Sequence, residues 1–298
     1  MPPAARVEVE VEGRRLSLSN LDKVMYPAVG FTKGQVIDYY TRVAPALLPH
    51  LRERPLTLKR YPNGVEGGYF FEKQCPSHRP DWVRSEPVEM NRKTIDFCIC
   101  DDLPTLVWLA NLADLELHPS LSLVDDVDRP TVMAFDLDPG PPAALAECCE
   151  VAFLLRDALS QIGLECFAKT SGSKGIQVYV PLNVEDVDYD HGTKALSHAL
   201  ARHLEAQHPK LIVSQQRKEL RRGKVLIDWS QNDEKKTTVC VYSLRARERP
   251  TVSTPLRWEE LDDPDSLVFD AGDVLERIDE HGDLFAPVVE LRQELPDL

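Results

Sequence analysis

No apolar run in the 298-residue sequence is long enough to span a bilayer, and Met1 to Glu10 carries no signal-peptide pattern. An intracellular, cytoplasmic protein is the expectation. A disulfide framework is lacking as well: seven cysteines are an odd number for so long a chain, and Cys148 and Cys149 are adjacent. Cys75, His78, Cys98 and Cys100 offer four zinc-capable side chains, but not at the spacing of a common zinc site. Cys98 and Cys100 alternate within "TIDFCICDD" as buried strand residues do, so zinc is not expected. Internal repeats and low-complexity segments are missing, and so is the G-K-[ST] of a P-loop. Positive charge is scarce: 35 Lys and Arg against 49 Asp and Glu leave a net −14, which at first disfavours a nucleic-acid partner.

The deficit is not evenly spread. Glu259 to Leu298 holds fourteen acids and two arginines, a net of −12, so the first 258 residues carry only −2. Lys210 to Lys224, "KLIVSQQRKELRRGK", sets six basic residues against one Glu. A local basic patch is what phosphates meet, whatever the global charge. On charge alone the run also reads as a solvated surface loop.

With 43% apolar residues the chain can build a sizeable core. "RVEVEVEG" has a strand pattern. Thr32 and Gln35 form a capping box, and Val36, Tyr39, Tyr40, Val43 and Leu47 mark one face of a helix reaching about Leu51. "YPNGVEGGYFFEKQ" reads as a turn leading into a strand, and "LPTLVWLANLADLEL" as a second helix. From about Pro130 strands and helices interleave. "TVMAFDLD" is a strand, Ala143 to Ile162 a helix, and "CFAKTSGSKGIQVYVPL" a strand, turn and strand. His191 to His208 is helical, and "KVLIDWS" and "TTVCVYSL" are strands. The pattern predicts an α/β or α+β domain. The acidic tail still spaces apolar residues (Leu261, Leu267, Val274, Leu275, Ile278, Leu284, Val288), so part of it is expected to pack.

Three pieces carry chemistry. Asp136 and Asp138 end an apolar strand two residues apart, which projects both carboxylates from one face. Like charges so close raise one another's pKa unless a cation compensates them, and Mg²⁺ or Mn²⁺ takes such oxygen ligands. An Asx turn at Asp138-Pro139 is the plainer reading. In "KTSGSKGIQVYV", Gly172 and Gly175 flank Ser173 and Lys174, and small residues let backbone N–H groups approach an anion. A bare hairpin turn uses the same residues. Asp228 in "KVLIDWSQN" is an acid at the end of a core strand and needs a partner, either a cation or a nearby Arg. Together, three acids and a Gly-Lys turn favour metal-assisted nucleotidyl transfer. Haloacid-dehalogenase-type phosphatases also end a strand in D-x-D, but Pro139 and Gly140 follow here, deep in the chain. A non-enzymatic DNA-end-binding module has no use for clustered acids in an apolar setting.

In order, "LSNLDKVMYP", "FTKGQVIDYY", "TLKRYPNG", "FFEKQ", "WLANLADLELHPS", "FDLDPG", "TSGSKG", "LRRGKVLIDWSQN" and "KTTVCVYSLRAR" resemble the polymerase domain of bacterial DNA ligase D. That domain belongs to the archaeo-eukaryotic primase superfamily, and the resemblance covers about residues 14 to 280. No ligase or phosphoesterase module accompanies the motifs, so a stand-alone member or an excised domain is expected. The resemblance implies an α+β fold, with an RRM-like antiparallel-sheet core packed against an N-terminal α/β module. It implies one catalytic domain over 1–295: the module at about 1–125, the core at about 126–258, and the acidic segment at 259–298.

It further implies DNA-repair primase-polymerase activity, adding preferentially ribonucleotides at short gaps or broken ends. Non-homologous end joining and excision-repair gap filling are both open pathways. Implied cofactors are two Mn²⁺ or Mg²⁺ ions per active site. Implied partners are gapped or broken DNA with a 5′-phosphate, ribo- or deoxynucleoside triphosphates, and an ATP-dependent DNA ligase and end-binding protein supplied separately. Implied localisation is the bacterial cytoplasm, at the nucleoid.

By resemblance Asp136, Asp138 and Asp228 match the metal-binding acids. Ser171, Gly172, Ser173, Lys174 and Arg245 match the triphosphate contacts, and His118 a histidine near the nucleotide sugar. Gln177, Gln231 and Lys59 are expected at the nucleotide too. Lys23 and Lys33 match lysines that grip the downstream 5′-phosphate, and Phe70 and Phe71 match aromatics that stack on the template. Arg60 and Arg221 are further expected DNA contacts. One departure concerns the site: the family pattern S-G-x-K-G-[LI]-H ends in histidine, and here the position is Gln177, a neutral amide. Ser120 replaces the usual aromatic after "HP", and Cys240-Val241 and Ala246 depart around "YSLRAR". The acids are intact, so activity is expected, with altered nucleotide selectivity.

Overall fold

The structure, a computed structural model, describes residues 6–90 and 93–296; residues 1–5 of the expected N-terminal module lie outside them. A hairpin, β1 (Arg6–Val11) and β2 (Arg14–Ser19), precedes a short pair, β3 (Val24–Tyr26) and β4 (Phe31–Thr32). Helix α1 (Lys33–Leu51) then starts where the sequence places it. Thr32 Oγ1 accepts from Gln35 N at 3.3 Å and Gln35 Oε1 from Thr32 N at 2.8 Å, closing the capping box. Its buried face includes two phenols that also hold distant backbone: Tyr39 donates to Tyr242 O and Tyr40 to Leu115 O, each at 2.8 Å.

The first sheet gathers β5 (Leu56–Arg60), β6 (Phe70–Glu72), β7 (Ser85–Met90), β8 (Lys93–Cys98) and, after α2 (Leu103–Asn111), β9 (Asp114–Pro119). Here one expectation is corrected. "LPTLVWLANLADLEL" is not one helix: it stops at Asn111, Ala113 turns with φ 60°, and "DLELHP" becomes strand β9 against β5. The deciding pattern is of period two, with Leu115 and Leu117 buried among apolar residues while Glu116 and His118 share the other face. A second correction concerns cysteine. Cys75 and Cys98 are joined in a disulfide, while Cys100, Cys148, Cys149, Cys166 and Cys240 are free and buried. His78 lies beside Trp108.

After a small hairpin, β10 (Ser122–Leu123) and β11 (Asp126–Pro130), the second sheet begins with β12 (Val132–Pro139). It continues through α3 (Leu145–Gln161), β13 (Phe167–Thr170), β14 (Ile176–Pro181), α4 (Lys194–Gln207), β15 (Ile212–Val213), β16 (Val225–Asp228) and β17 (Pro255–Leu256). The spatial order is β15-β16-β12-β14-β13-β17, antiparallel except for the β15–β16 pair. Within it β16-β12-β14-β13 is the 4-1-3-2 order of a β-α-β-β-α-β unit, so the catalytic-core expectation of an RRM-like sheet in an α+β fold holds. Helix α4 starts later than expected, at Lys194, behind a π-helical turn over Tyr189–Thr193.

"TTVCVYSL" is not a strand. Tyr242 has φ 64°, which breaks an extended run, and Thr237 and Leu244 make only isolated bridges to Ser120 and Val252. The segment threads between the two sheets instead, with Cys240 N donating to Leu117 O at 2.9 Å and Tyr242 N to Ser253 O at 2.7 Å. The acidic tail packs as expected. Leu261 and Leu267 join the core beneath the second sheet. Val274 on α5 (Ala271–His281) and Val288 on α6 (Pro287–Glu290) join the core of the N-terminal part.

Candidate active site

Alternation along β12 builds the site. Met133, Phe135 and Leu137 point to the side covered by α3 and α4. Val132 and Ala134 point the other way, into the core shared with the N-terminal part. Asp136 and Asp138 continue that second face. The neighbouring strands obey the same rule, so Asp136 stands opposite Asp228 on β16 and opposite Gln177 on β14, which in turn stands opposite Lys169 on β13. One row, Lys169–Gln177–Asp136–Asp228, thus crosses four strands.

The acids are held differently. Gln177 Nε2 donates to Asp136 Oδ1 at 3.0 Å. Asp228 Oδ1 accepts from Ser230 N at 3.0 Å and Ser230 Oγ at 2.6 Å, and its Oδ2 accepts from Gln231 Nε2 at 2.8 Å. Buried Asn232 ties this turn to β12, accepting from Ala134 N at 2.9 Å and donating to Ala134 O at 2.8 Å. Burial raises the Asp136 pKa, reinforced by Asp138 and Asp228. Burial raises Asp138 as well, opposed by Arg221 and reinforced by Asp228. Two neighbouring acids pushed upward, Asp136 half-buried and Asp138 exposed at the strand end, are short of positive charge.

The turn after β13 docks beside them. Ser171 Oγ accepts from Ser173 N at 3.3 Å and Gly175 N at 3.1 Å. Gly172 has φ 65°, and a Cβ there would meet the Arg245 side chain and the Ser253 backbone. Arg245 Nη1 donates to Ser171 O, so the arginine and the turn form one wall. A cavity of about 230 Å³ lies between them, lined by His118, Asp136, Asp138, Ser171, Ser173, Gln177, Gln231 and Arg245. Gly172 and Lys174 instead line an adjoining cavity of about 420 Å³, which shares Ser173 and Arg247 with the first.

Glu116 organises the opposite wall. It bonds Lys59 Nζ, Tyr61 OH and His118 Nε2, each at 3.1 Å, and lies 3.3 Å from Arg245 Nε. Burial would raise its carboxyl, but the His118 hydrogen bond and the Arg245 and Lys59 cations hold it well below the usual range. Burial lowers the His118 pKa, opposed by Glu116.

Phe70 and Phe71 on β6 are 43% and 57% exposed, and Tyr69 before them 55%. Arg60 lies 5.2 Å from the Phe70 ring and bonds Glu72 at 2.7 Å. Lys59 sits among Tyr61, Tyr69 and Phe71, and the Phe71 ring is 6.0 Å from His118. The expected stacking platform therefore adjoins the expected nucleotide cavity.

Lys23 and Lys33 lie together: Lys23 Nζ donates to Asn63 Oδ1 at 3.2 Å and Lys33 Nζ to Ser19 O at 2.6 Å. Burial and the neighbouring Lys23 lower Lys33 to about 8. Arg221 bonds Gln216 O at 2.7 Å on the rim beyond Asp138, where Gly140 lets the backbone of the basic loop pack against the strand end.

The acids offer only hard oxygen donors. Among the described residues no three His, Cys, Asp or Glu side chains already form a metal cage. Of Cys75, His78, Cys98 and Cys100, two thiols are engaged in the Cys75–Cys98 disulfide. Asp228 is turned toward Ser230 and Gln231, which take both acceptor sites of its Oδ1 and one of its Oδ2, leaving one free on Oδ2. The donor set and the raised acids fit a hard divalent cation.

Residues 32–285 match the family described as LigD, primase-polymerase domain. The chain belongs to that family. Its sequence is 42% identical over 276 residues to the multifunctional non-homologous end joining protein LigD of Mycolicibacterium smegmatis, covering 92% of this chain and 36% of that protein. The bifunctional LigD of Bacillus subtilis is 32% identical over 269 residues, covering 90% of this chain and 43% of that protein. The chain thus spans little more than a third of the mycobacterial relative.

The polymerase domain of Mycobacterium tuberculosis ligase D in complex with DNA superposes with a TM-score of 0.88 at 41% identity, covering 95% of this chain and 99% of that one. The fold is that of the LigD polymerase domain, and the chain belongs to a metal-dependent primase-polymerase family. No helix among the described residues is long and apolar enough to cross a membrane. Sequence reading missed Glu116, Tyr69 and Lys169. Glu116 was hidden by the mistaken helix, where its two-residue spacing from His118 has no meaning.

Proposed function

We propose that this LigD-type primase-polymerase extends a DNA strand at short gaps and broken ends, templated by the opposite strand and favouring ribonucleotides. The three-acid face beside the Ser171–Gly175 turn carries the reading. Asp136, Asp138 and Asp228 would hold two divalent ions, Mn²⁺ before Mg²⁺. Bound there, such ions lower the pKa of an attacking 3′-hydroxyl and offset charge on the leaving pyrophosphate. The protein's own residues do the positioning. Ser171, Gly172, Ser173, Lys174 and Arg245 hold the triphosphate, and Gln231 steadies Asp228. Gln177 and Lys59 border the nucleotide. His118, its pKa lowered by burial, hydrogen-bonds the sugar from the wall it shares with Arg245.

Phe70 and Phe71 stack on the template, Arg60 supports Phe70, and Arg221 meets the backbone at the far rim. Lys23 and Lys33 receive the downstream 5′-phosphate, with Lys33 anchored at Ser19. End joining, with an end-binding protein and an ATP-dependent ligase acting on the product, is the process the relatives' names support; gap filling in base excision repair uses the same chemistry. Extension of a primer across a one-nucleotide gap with a 5′-phosphate, with Mn²⁺ and ribonucleotides, tests the reading. Asp138→Ala is expected to lower the rate at least about 10³-fold. Extension unaffected by that substitution, or by removing the 5′-phosphate, would refute the assignment in question.

A further inference from the structure

The row across the second sheet ends at a lysine with no part in the chemistry above. Lys169 is fully buried, and its ammonium group donates to Gln177 Oε1, to Ser253 Oγ at 2.7 Å and to Val239 O at 3.1 Å. Burial lowers the Lys169 pKa to about 7; in its ammonium form it has three donors and no acceptor, and these three oxygen partners saturate it. Ser253 passes its own proton on to Thr170 O at 2.8 Å, which leaves it an acceptor toward Lys169. Because Lys169 only donates, Gln177 must turn its carbonyl to the lysine and its amide nitrogen to Asp136 Oδ1, 3.0 Å away. Without the lysine the Gln177 amide could turn over, set its oxygen against the carboxylate and repel it. The lysine thus fixes the direction of every bond in the row.

We propose that Lys169 is a positioning residue for divalent-cation binding: it locks the Gln177 amide, and Gln177 holds the Asp136 carboxylate ready for the ion. This rests on the reading of the three aspartates as metal ligands. The role suits a buried charge, which is costly unless engaged. It also assigns Gln177 a task that its place beside the nucleotide cavity does not exhaust, since one amide hydrogen remains for the cavity. Groups behind metal-binding side chains commonly alter affinity by about 10–100-fold.

The test measures binding of Mn²⁺ alone by electron paramagnetic resonance of the free ion, beside thermal melting and the KM values for Mn²⁺ and nucleotide. Native protein is expected to bind Mn²⁺, and Asp138→Ala to lose it. Lys169→Met is expected to weaken Mn²⁺ binding about tenfold or more and to raise the KM for Mn²⁺, leaving the nucleotide KM at saturating Mn²⁺ unchanged. Gln177→Leu, which leaves Lys169 its other two partners, is expected to weaken Mn²⁺ binding by the same factor. The double variant should be no worse than either single change, because both act through one chain of bonds.

Native-like Mn²⁺ binding by both single variants, or losses that add, would overturn the proposal while leaving the aspartate reading intact. Undiminished Mn²⁺ binding by Asp138→Ala would overturn both. If Lys169→Met does not fold, Gln177→Leu decides. Failure of both to fold would make the pair a fold requirement and also overturn the proposal.

Discussion

Asp136 and Asp228 stand directly opposite each other across β12 and β16, with Asp136 lining the cavity and Asp228 turned to Ser230 and Gln231 behind it. Like charges so placed destabilise an antiparallel pair. Asp136→Asn keeps an acceptor for Gln177 and removes the repulsion. In metal-free buffer it is expected to raise the melting temperature by about 2–4 °C, the equivalent of about 1 kcal/mol in a chain of this size. Adding Mn²⁺ is expected to reverse the order, stabilising the native protein and not the variant. A melting temperature that falls without metal would show that the two acids do not strain the apo fold.

Gly140 is where the basic loop meets the acids. A Cβ there would overlap the Arg221 carbonyl, whereas one at Gly68 meets nothing within 4 Å. Gly140→Ala is expected to cost about 1–3 kcal/mol in urea unfolding. Gly68→Ala should stay within about 0.5 kcal/mol. Equal effects would show that the loop seats elsewhere in solution.

Asp283 fastens the tail to the rest of the molecule. It bonds His50 Nε2 at 2.9 Å and Tyr242 OH at 2.6 Å, and accepts from Phe285 N at 2.8 Å. Burial would raise its pKa, but the bonds from His50 and Tyr242 lower it. A carboxyl depressed in the folded state stabilises above its unfolded pKa of about 3.9, and that contribution fades as pH falls through the lower folded value. Asp283→Asn is therefore expected to cost about 1.5–3 kcal/mol at pH 7. The difference should shrink below about pH 4. A gap that widens on acidification would contradict the assignment.

Phe71 is exposed and touches no core, so its removal should spare the fold. Phe71→Ala is expected to weaken binding to a template overhang by about 1–3 kcal/mol, read by fluorescence anisotropy, with an unchanged melting temperature. Tyr69→Ala should weaken it as well, since Tyr69 flanks Lys59 at 4.7 Å. Unaltered affinity in both would remove the platform from the DNA path.

Much of the site is legible in the sequence because it follows from strand alternation. The two-residue spacing of Asp136 and Asp138 sets their common face, and the turn "TSGSKG" reads from glycine and hydroxyl chemistry alone. What brings Asp228 opposite Asp136, and Gln177 opposite both it and Lys169, is register between strands far apart in the chain, which local patterns do not encode. Two segments misled for physical reasons. "LADLEL" has helix-favouring residues, yet Ala113 turns the chain and tertiary pairing with β5 makes a strand. "TTVCVYSL" has strand-favouring residues, yet it is wedged between two sheets that leave it no ladder. The Cys75–Cys98 link joins residues 23 apart in a chain where the cysteine count argued against disulfides, because pairing depends on tertiary contact and not on local spacing.

The tail enters both cores: Leu261 and Leu267 under one sheet, Val274, Phe285 and Val288 within the other. A segment anchored on both sides of a cleft is a brace. The two walls of the cavity cannot swing apart unless the brace lets go, and withdrawing its apolar anchors from two cores at once makes such release slow and rare. Any widening of the cleft is therefore expected at its rim, with the two cores kept in place.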